Sequence, residues 1–478
     1  MDHFEPLAIS SFLDGASVAL GHPGVDLVRP SDGTLVGTIL EAGSRGVAAA
    51  VSSARLASKV HGRAPLHRRV ELLHIASDAL EEASEDLARL VCEDVGKPIR
   101  IARFEAKRGV DFVRACAAAA SQLGGETVPV DAASAGAGCF GFVQRIPYGI
   151  VAAITPFNAP INLLLQKVAP AVAAGNTVVA KPAPAGLRTA LLMAAILSRA
   201  GWPSGLFNVL SGDRETAAAL VTHADVRAVS FTGGTAGGEI LARLAGAKKF
   251  LAELGSNAAN IVFADSDIRA AAIKIASAGF EASGQQCISA QRVIVQKSVL
   301  HSFLELFVSA ATALKVGPAA DPASDIGPMV NAASADRVMA IYQDACDRGA
   351  TVVLAPRRES SIVSPAILMD VPRAARLWRE EVFGPMVVIS SFETEDEALS
   401  LANDSEFGLQ GAVFTSNLGT ALRFAREFDV GSLWINEASR FRLDMYPFGG
   451  VKSSGVGREG LRYAIEELSQ LKFVGIRA

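Results

Sequence analysis

A cysteine, Cys287, lies in the stretch Gly284-Gln285-Gln286-Cys287-Ile288-Ser289-Ala290-Gln291-Arg292, between a Gly-Gln-Gln turn and a β-branched run that continues through Val293-Ile294-Val295. Upstream, a carboxylate, Glu253, closes the apolar segment Phe250-Leu251-Ala252-Glu253-Leu254-Gly255. A thiol nucleophile with a carboxylate base suits covalent catalysis at a carbonyl carbon. A lone cysteine more often serves as a small buried hydrophobe, but the surroundings of Cys287 favour chemistry. Asn158 stands in Ile154-Thr155-Pro156-Phe157-Asn158-Ala159-Pro160, just after an apolar run. At a strand's carboxyl end its amide N–H groups could donate to a developing oxyanion. Taken alone, Asn158 between two prolines is equally a turn former.

Phe231-Thr232-Gly233-Gly234-Thr235-Ala236-Gly237-Gly238 reads as strand, Gly-rich turn and helix start. Free N–H groups at a helix N-terminus attract phosphate, although glycines often only make a turn. The spacing differs from the common Gly-x-Gly-x-x-Gly fingerprint. Lys181-Pro182 ends another strand, Glu380-Glu381-Val382-Phe383-Gly384-Pro385 precedes a turn, and Ser439-Arg440-Phe441-Arg442-Leu443-Asp444 carries two arginines.

The elements that must position these residues follow from periodicity. Residues 68–95 carry Leu72, Leu73, Ile75, Leu80, Leu87 and Leu90 on one side, which predicts one amphipathic helix closed by Gly96-Lys97-Pro98. A second helix is expected over 100–123, with Lys107 and Arg108 on a solvated face. Residues 127–130 and 139–145 alternate like a hairpin with little core of its own. From Gly149, apolar strands at 150–154, 177–181, 206–210 and 228–232 alternate with helices at 161–174 and 187–200. That alternation argues for a doubly wound parallel sheet, whose ligands bind at the strands' carboxyl ends. A second α/β region follows Glu253, with helices at 268–280 and 299–314 and a strand at 292–296. The tail 470–476 reads as one more strand.

Composition bounds the function. The chain has 478 residues, half of them hydrophobic, and a net charge of −4 from 45 basic and 49 acidic side chains. Two or three domains with a large core fit that length, and the charge gives no case for nucleic acid or an anionic membrane. The cysteines Cys92, Cys116, Cys139, Cys287 and Cys346 are scattered, with no Cys-x-x-Cys pair. A zinc site is therefore not expected, and a reduced, cytoplasmic location is. The start Met1-Asp2-His3-Phe4-Glu5 lacks a signal-peptide pattern. None of the seven histidines suggests a metal site or a Cys-His protease.

The Cys287 and Glu253 segments resemble the cysteine and glutamate motifs of the aldehyde dehydrogenase superfamily. The Pro156-Phe157-Asn158 turn, the Phe231–Gly238 turn, the Glu381-Val382-Phe383-Gly384-Pro385 run and Pro447-Phe448-Gly449-Gly450-Val451-Lys452-Ser453-Ser454-Gly455 match that family in order along nearly the whole chain. The Phe441-Arg442-Leu443-Asp444 run also resembles the lactaldehyde, non-phosphorylating glyceraldehyde-phosphate and phosphonoacetaldehyde branch of that superfamily. The resemblance implies an α/β fold with a Rossmann-type cofactor domain (1–121 and 148–253), a catalytic domain (254–463) and a small β oligomerisation element (122–147 and 464–478). It implies NAD or NADP as cofactor, bound through Ile154, Thr155, Pro156, Lys181, Pro184, Gly212, Phe231, Thr232, Gly233, Gly234, Leu254, Glu381 and Phe383.

Two positions depart from the family pattern. Gly234 replaces the usual serine, removing a hydroxyl contact to phosphate, and Pro184 stands where many NAD-preferring members carry a ribose-binding glutamate. A proline does not repel a 2′-phosphate, so tolerance of both NAD and NADP is expected.

The implied reaction is attack by Cys287 on an aldehyde, with Asn158 and the Cys287 N–H stabilising the oxyanion and Glu253 activating the hydrolytic water. The substrate expected is a small polar or anionic aldehyde near Arg440, Arg442 and Arg108; Arg442 equally suits pairing with Asp444 or bracing the loop. Gln286 departs from branch members with arginine there, which weakens the case for a phosphate-bearing substrate. Alternatives are a CoA-acylating semialdehyde dehydrogenase, a cysteine-dependent esterase and a non-catalytic homologue. Glu253 favours water as the acyl acceptor, and the intact set of Cys287, Glu253 and Asn158 argues against the last. A homodimer or homotetramer is expected, with the hairpin and tail exchanged between subunits.

Overall fold

The computed structural model describes residues 7–477; the N-terminal segment Met1-Asp2-His3-Phe4-Glu5, judged above for a signal sequence, lies outside them. Five parallel strands form the centre of an eight-stranded sheet. In spatial order they are Lys249–Glu253, Val226–Thr232, Ile150–Thr155, Thr177–Pro182 and Phe207–Val209. Strands Ile150–Thr155 and Thr177–Pro182 are buried at every position, which is why their sequences run continuously apolar instead of alternating. Antiparallel strands close the edges, Gly455–Val456 against Lys249–Glu253 and Ser11–Leu13 against Phe207–Val209.

Strand order reverses at Ile150–Thr155. The chain first builds outward through Thr177–Pro182 and Phe207–Val209, then returns to the other side as Val226–Thr232 and Lys249–Glu253. The crevice of such a sheet opens at the carboxyl ends beside that reversal. Thr155-Pro156-Phe157-Asn158 and Thr232-Gly233-Gly234 leave the sheet there.

A second sheet follows Glu253, in the order Thr351–Leu354, Ala366–Met369, Met386–Phe392, Arg292–Gln296, Ala259–Val262, Gln410–Phe414 and Ser432–Ile435. All its pairings are parallel except the first. A third, three-stranded antiparallel sheet joins Glu126–Val128, Cys139–Pro147 and Ser469–Arg477. It leaves Phe140, Leu471, Phe473 and Ile476 exposed. Among the described residues no helix is long and apolar enough to cross a membrane.

The periodicity reading errs at 68–95. Two helices occupy that stretch, Leu66–Glu82 and Ser84–Val95, broken at Ala83 (φ −95°, ψ 9°). Both pack on helix Ile99–Ala120, so the apolar stripe continues across the bend and hides it. The overlooked mark is Ser84-Glu85-Asp86, whose acids lie in the first turn of the second helix, where they favour a new N-terminus.

Arg292 ties the start of its strand to the Asn257 segment and to the end of helix Glu395–Asn403. It is buried at the first position of its strand and donates to the carbonyls of Asn257 (3.0 Å), Leu401 (2.9 Å) and Ala402 (3.0 Å). Its guanidinium also lies over the Trp378 ring at 5.5 Å. Replacing it with methionine, which keeps the stem but leaves these carbonyls unsatisfied, should cost at least about 3 kcal/mol, since each buried polar group orphaned costs roughly 1–3. Denaturant unfolding of Arg292→Met measures this; an unchanged midpoint would show that the carbonyls find other partners.

Candidate active site

Glu253 is the last residue of its strand, and the antiparallel pairing with Gly455–Val456 fixes its backbone. Gly455 has φ +148°, and a Cβ there would lie 2.2 Å from the Ala252 carbonyl oxygen, so only glycine permits this approach. The Glu253 side chain is buried, and its Oε2 has no hydrogen-bond partner. Burial, reinforced by the negative charge of Glu459, holds its carboxyl well above the usual carboxylate range; Arg442, Lys167 and Arg458 oppose that shift. Burial therefore favours the neutral acid form of Glu253 over its carboxylate.

Cys287 follows a strained turn. Ala282 (φ 53°), Ser283 (φ 61°) and Gly284 (φ 62°) are all left-handed, two of them without being glycine. Such strain persists only when the surroundings over-determine it. Here Ser283 Oγ donates to the Gly327 carbonyl at 2.8 Å, Ala282 N–H to the Asp325 carbonyl at 3.2 Å, and Gln285 Oε1 accepts from Val330 N–H at 3.0 Å. The Cys287 side chain packs with Ile288, Leu409, Tyr446 and Phe448. Desolvation of its sulfur, aided by the Glu381 charge, pushes the thiol up to about 12. Arg442 is the cation that opposes this.

Asn158 is buried and its Nδ2 donates to the Gln285 carbonyl at 2.9 Å, two residues before Cys287. The Asn158 turn and the Cys287 turn are thus directly joined, with the second amide hydrogen of Asn158 left over. The Cys287 N–H is engaged by no hydrogen bond in this arrangement.

Behind Glu253 lies a chain of buried charges. Lys167 Nζ donates to Glu459 Oε1 at 3.0 Å, and Arg442 donates to Glu459 Oε2 at 2.9 Å. Arg442 is also 3.9 Å from Asp444 and lies 3.7 Å over the Phe448 ring. Arg108 grips Asp444 with two donors at 2.6 and 3.1 Å, and Gln166 Nε2 donates to the same carboxylate at 3.1 Å. Two flanking cations hold Glu459 below its usual range even though burial pushes the other way.

The three arginines singled out from the sequence are therefore engaged. Arg440 pairs with Glu281 at 2.9 Å and donates to the Ser277 carbonyl; Arg442 pairs mainly with Glu459, not Asp444; Arg108 is drawn from the expected solvated face onto Asp444. Lys107 does stay exposed. Lys167 and Glu459 escaped sequence reasoning. A lone lysine inside the otherwise apolar helix Pro160–Ala173 was the available signal.

Most of the expected cofactor residues line the carboxyl ends of the first sheet, while Glu381 and Phe383 come from the loop before strand Met386–Phe392 of the second. Thr155 and Thr232 each carry a buried hydroxyl without a partner. Gly234 caps helix Thr235–Ala245 with no side-chain hydrogen bond, and a Cβ on it would meet only open space. A Cβ on Gly233 or Gly238 would strike Phe231 or Leu254, so both glycines are required by packing. Glu381 Oε1 accepts from Ser256 N–H at 3.0 Å, and burial raises that carboxyl to about 7. Phe383, at φ 48°, packs edge-on against Phe157 with centroids 5.8 Å apart. Pro184 opens a 3₁₀ turn after Lys181-Pro182, and Gly212 adopts φ +141°. Unpartnered hydroxyls and an uncapped helix N-terminus at one crevice fit a pyrophosphate-bearing dinucleotide.

Comparison with known proteins agrees with this geometry. The sequence profile of the aldehyde dehydrogenase family matches residues 20–474, and the chain belongs to that family. It is 38% identical over 458 residues to aspartate-semialdehyde dehydrogenase 1 of Pseudomonas canavaninivorans, covering 96% of this chain and 97% of that one. It is 40% identical over 409 residues to the 3-sulfolactaldehyde dehydrogenase of Priestia aryabhattai, covering 85% and 86%. Among solved structures, the NADP-dependent glyceraldehyde-3-phosphate dehydrogenase of Bacillus halodurans, complexed with NADP, superposes with a TM-score of 0.95 at 33% identity, over 98% of this chain and 99% of that one. The protein is an NAD(P)-dependent aldehyde dehydrogenase.

A thiol held near 12 should alkylate slowly in the free enzyme. Only the thiolate reacts, so iodoacetamide labelling of Cys287, followed by peptide mass spectrometry, should lag a free thiol at neutral pH and keep rising beyond pH about 9, above the free-cysteine value. A rate that levels off below that pH would show an activated thiolate already present in the resting site.

Proposed function

We propose that Cys287 is the nucleophile, Asn158 and the Cys287 N–H the oxyanion donors, and Glu253 the base that deacylates the enzyme. The observation that carries this reading is the joining of the Asn158 and Cys287 turns by the Asn158–Gln285 hydrogen bond, with a buried, unpartnered Glu253 Oε2 acting on the same thiol. Cys287 loses its proton to solvent water, and the thiolate attacks the aldehyde carbon, the carbonyl π-bond opening to an oxyanion to form a thiohemiacetal. Its oxyanion takes the free Asn158 amide hydrogen and the Cys287 N–H. When bound, the nicotinamide dinucleotide supplies the two-electron acceptor that leaves a thioester on Cys287. Glu253 then takes a proton from water, which attacks the thioester and frees the carboxylate. Because burial and Glu459 favour the acid form of Glu253, its proton must first pass to solvent water. The ion-paired Glu459 and Lys167 are the neighbouring groups through which that charge is balanced.

Thr155, Thr232, Gly233 and Gly234 would hold the pyrophosphate, Lys181 the adenosine ribose, and Glu381 with Phe383 the nicotinamide end. The three-stranded sheet with its exposed Phe140, Leu471 and Phe473 would serve as an oligomerisation element in a dimer or tetramer, covering apolar surface and an open edge. The organisation would be a cofactor domain (1–121 and 148–253) and a catalytic domain (254–463) in one cytoplasmic enzyme.

For the substrate, the relatives are named for small aldehydes, aspartate semialdehyde and 3-sulfolactaldehyde, which carry charged groups, and lactaldehyde, which does not. Around the site, four cations (Arg108, Arg440, Arg442 and Lys167) face three carboxylates (Asp444, Glu281 and Glu459), while burial favours the neutral form of Glu253. The excess of one positive charge favours an anionic tail, with Arg108 the most exposed of the three arginines.

Steady-state and stopped-flow assays test the assignment. Cys287→Ala should lose turnover, and Glu253→Gln should give one burst of reduced cofactor followed by a rate lower by about 10²–10⁴-fold, the usual worth of a positioned base. Normal turnover in Cys287→Ala removes the assignment. Anionic aldehydes should exceed neutral ones of equal length in kcat/KM, and Arg108→Ala should narrow that gap; preference for long neutral aldehydes, unaltered by Arg108→Ala, contradicts the substrate reading.

A further inference from the structure

The absence of a carboxylate at Pro184 leaves the adenosine end of the cofactor site without the expected hydroxyl acceptor, and by itself predicts tolerance of NADP. The fold brings another carboxylate to the same place from a distant part of the chain. Lys181 lies at the carboxyl end of strand Thr177–Pro182; its side chain is buried and forms neither a hydrogen bond nor an ion pair among the described residues. The neighbouring strand Phe207–Val209 runs on into Ser211-Gly212-Asp213. Glu41 is the last residue of strand Leu35–Glu41, and the two residues after it dock on that turn: Ala42 N–H donates to the Ser211 carbonyl at 3.3 Å and Gly43 N–H to Thr216 Oγ1 at 3.2 Å.

The Glu41 carboxyl is held in place by glycine. A Cβ on Gly24 would lie 2.2 Å from Glu41 Oε1, so only the bare backbone leaves room for it. Glu41 is 9% exposed, and its Oε2 is buried without a partner. Lys181 and Glu41 sense each other and Asp213 electrostatically: burial lowers the Lys181 ammonium while Asp213 and Glu41 raise it. Burial and the Asp213 charge raise the Glu41 carboxyl, and Lys181 lowers it. Asp213 itself caps helix Arg214–Thr222 through Thr216 N–H at 3.0 Å, and exposed Arg214 is the one further cation acting on Lys181.

A buried carboxyl with one oxygen, Oε2, left without a partner and a buried ammonium thus come together where the turn after Phe207–Val209 meets the carboxyl end of Thr177–Pro182, the Glu41 carboxyl also taking a hydrogen bond from the Asp213 backbone. We infer that Glu41 and Lys181 together bind the adenosine ribose of the dinucleotide, and that Glu41 selects the 2′-hydroxyl of NAD against the 2′-phosphate of NADP. A vicinal diol satisfies both groups at once, accepting from Lys181 Nζ and donating to Glu41 Oε2. A 2′-phosphate carries a charge near −2 and no donor. It would have to approach the carboxylates of Glu41 and Asp213, with buried Lys181 and exposed Arg214 as the cations at hand, and like charges brought together oppose binding.

This rests on the cofactor class already assigned, and isothermal titration of the full-length enzyme with NAD and with NADP keeps the two apart. The parent should bind NAD at least about tenfold more tightly than NADP, the size expected for one like-charge contact of 1.4 kcal/mol or more. Glu41→Gln removes the charge but keeps the shape; it should weaken NAD, strengthen NADP and bring the two Kd values to within a few-fold. Glu41→Asp, which keeps the charge but retracts it, should weaken NAD without helping NADP, and serves also if the amide variant fails to fold. Equal affinity in the parent, or a ratio unmoved by Glu41→Gln, overturns the role of Glu41. Failure of the parent to bind either dinucleotide would instead remove the cofactor assignment.

Discussion

Glu459 receives two cations at once, Lys167 at 3.0 Å and Arg442 at 2.9 Å, and Glu253 is buried in the field of all three with one oxygen unpartnered. A buried carboxylate without a partner is costly and usually resolves that cost by taking up a proton. Glu459 has the partners, which favour its carboxylate; Glu253 lacks them, and burial favours its acid form. Two carboxyls in one dry pocket are thereby pushed in opposite directions. In the proposed mechanism that separation would keep the base dormant until charge in the site is rearranged.

The same network shapes the substrate side. Arg442 is stacked on Phe448, which also packs against the Cys287 cluster, and Asp444 ties Arg442 to Arg108 on helix Ile99–Ala120. The loop 440–444 is therefore clamped by ion pairs at each of its charged positions. Buried pairs of this kind contribute little net stability, but removing one partner strands the other. An anionic substrate would meet a pre-formed, slightly positive lattice in which no arginine is free of a partner.

Much of this was legible in the sequence. The apolar runs at 150–154, 177–181 and 228–232 became buried parallel strands because both faces of that sheet are covered. Glu253 ends a strand, Asn158 follows one and Cys287 lies in the turn before one, as the apolar runs beside them imply. The break at Ala83 was hidden because the apolar stripe runs through it unbroken. The backbone strain at Ala282 and Ser283 was invisible because neither residue type advertises a left-handed conformation. Lys167, Glu459 and Glu41 were missed for a common reason: each matters through a partner far away in sequence, and no local pattern records such pairings.

The central claim is that Glu253 rests as a neutral acid at neutral pH. Infrared difference spectroscopy between the parent and Glu253→Gln tests it most directly. The account predicts a protonated carboxyl band at pH 7 that gives way to a carboxylate band only as the pH is raised well above neutrality. A carboxylate band alone at pH 7, unchanged up to the alkaline limit of folding, would contradict it.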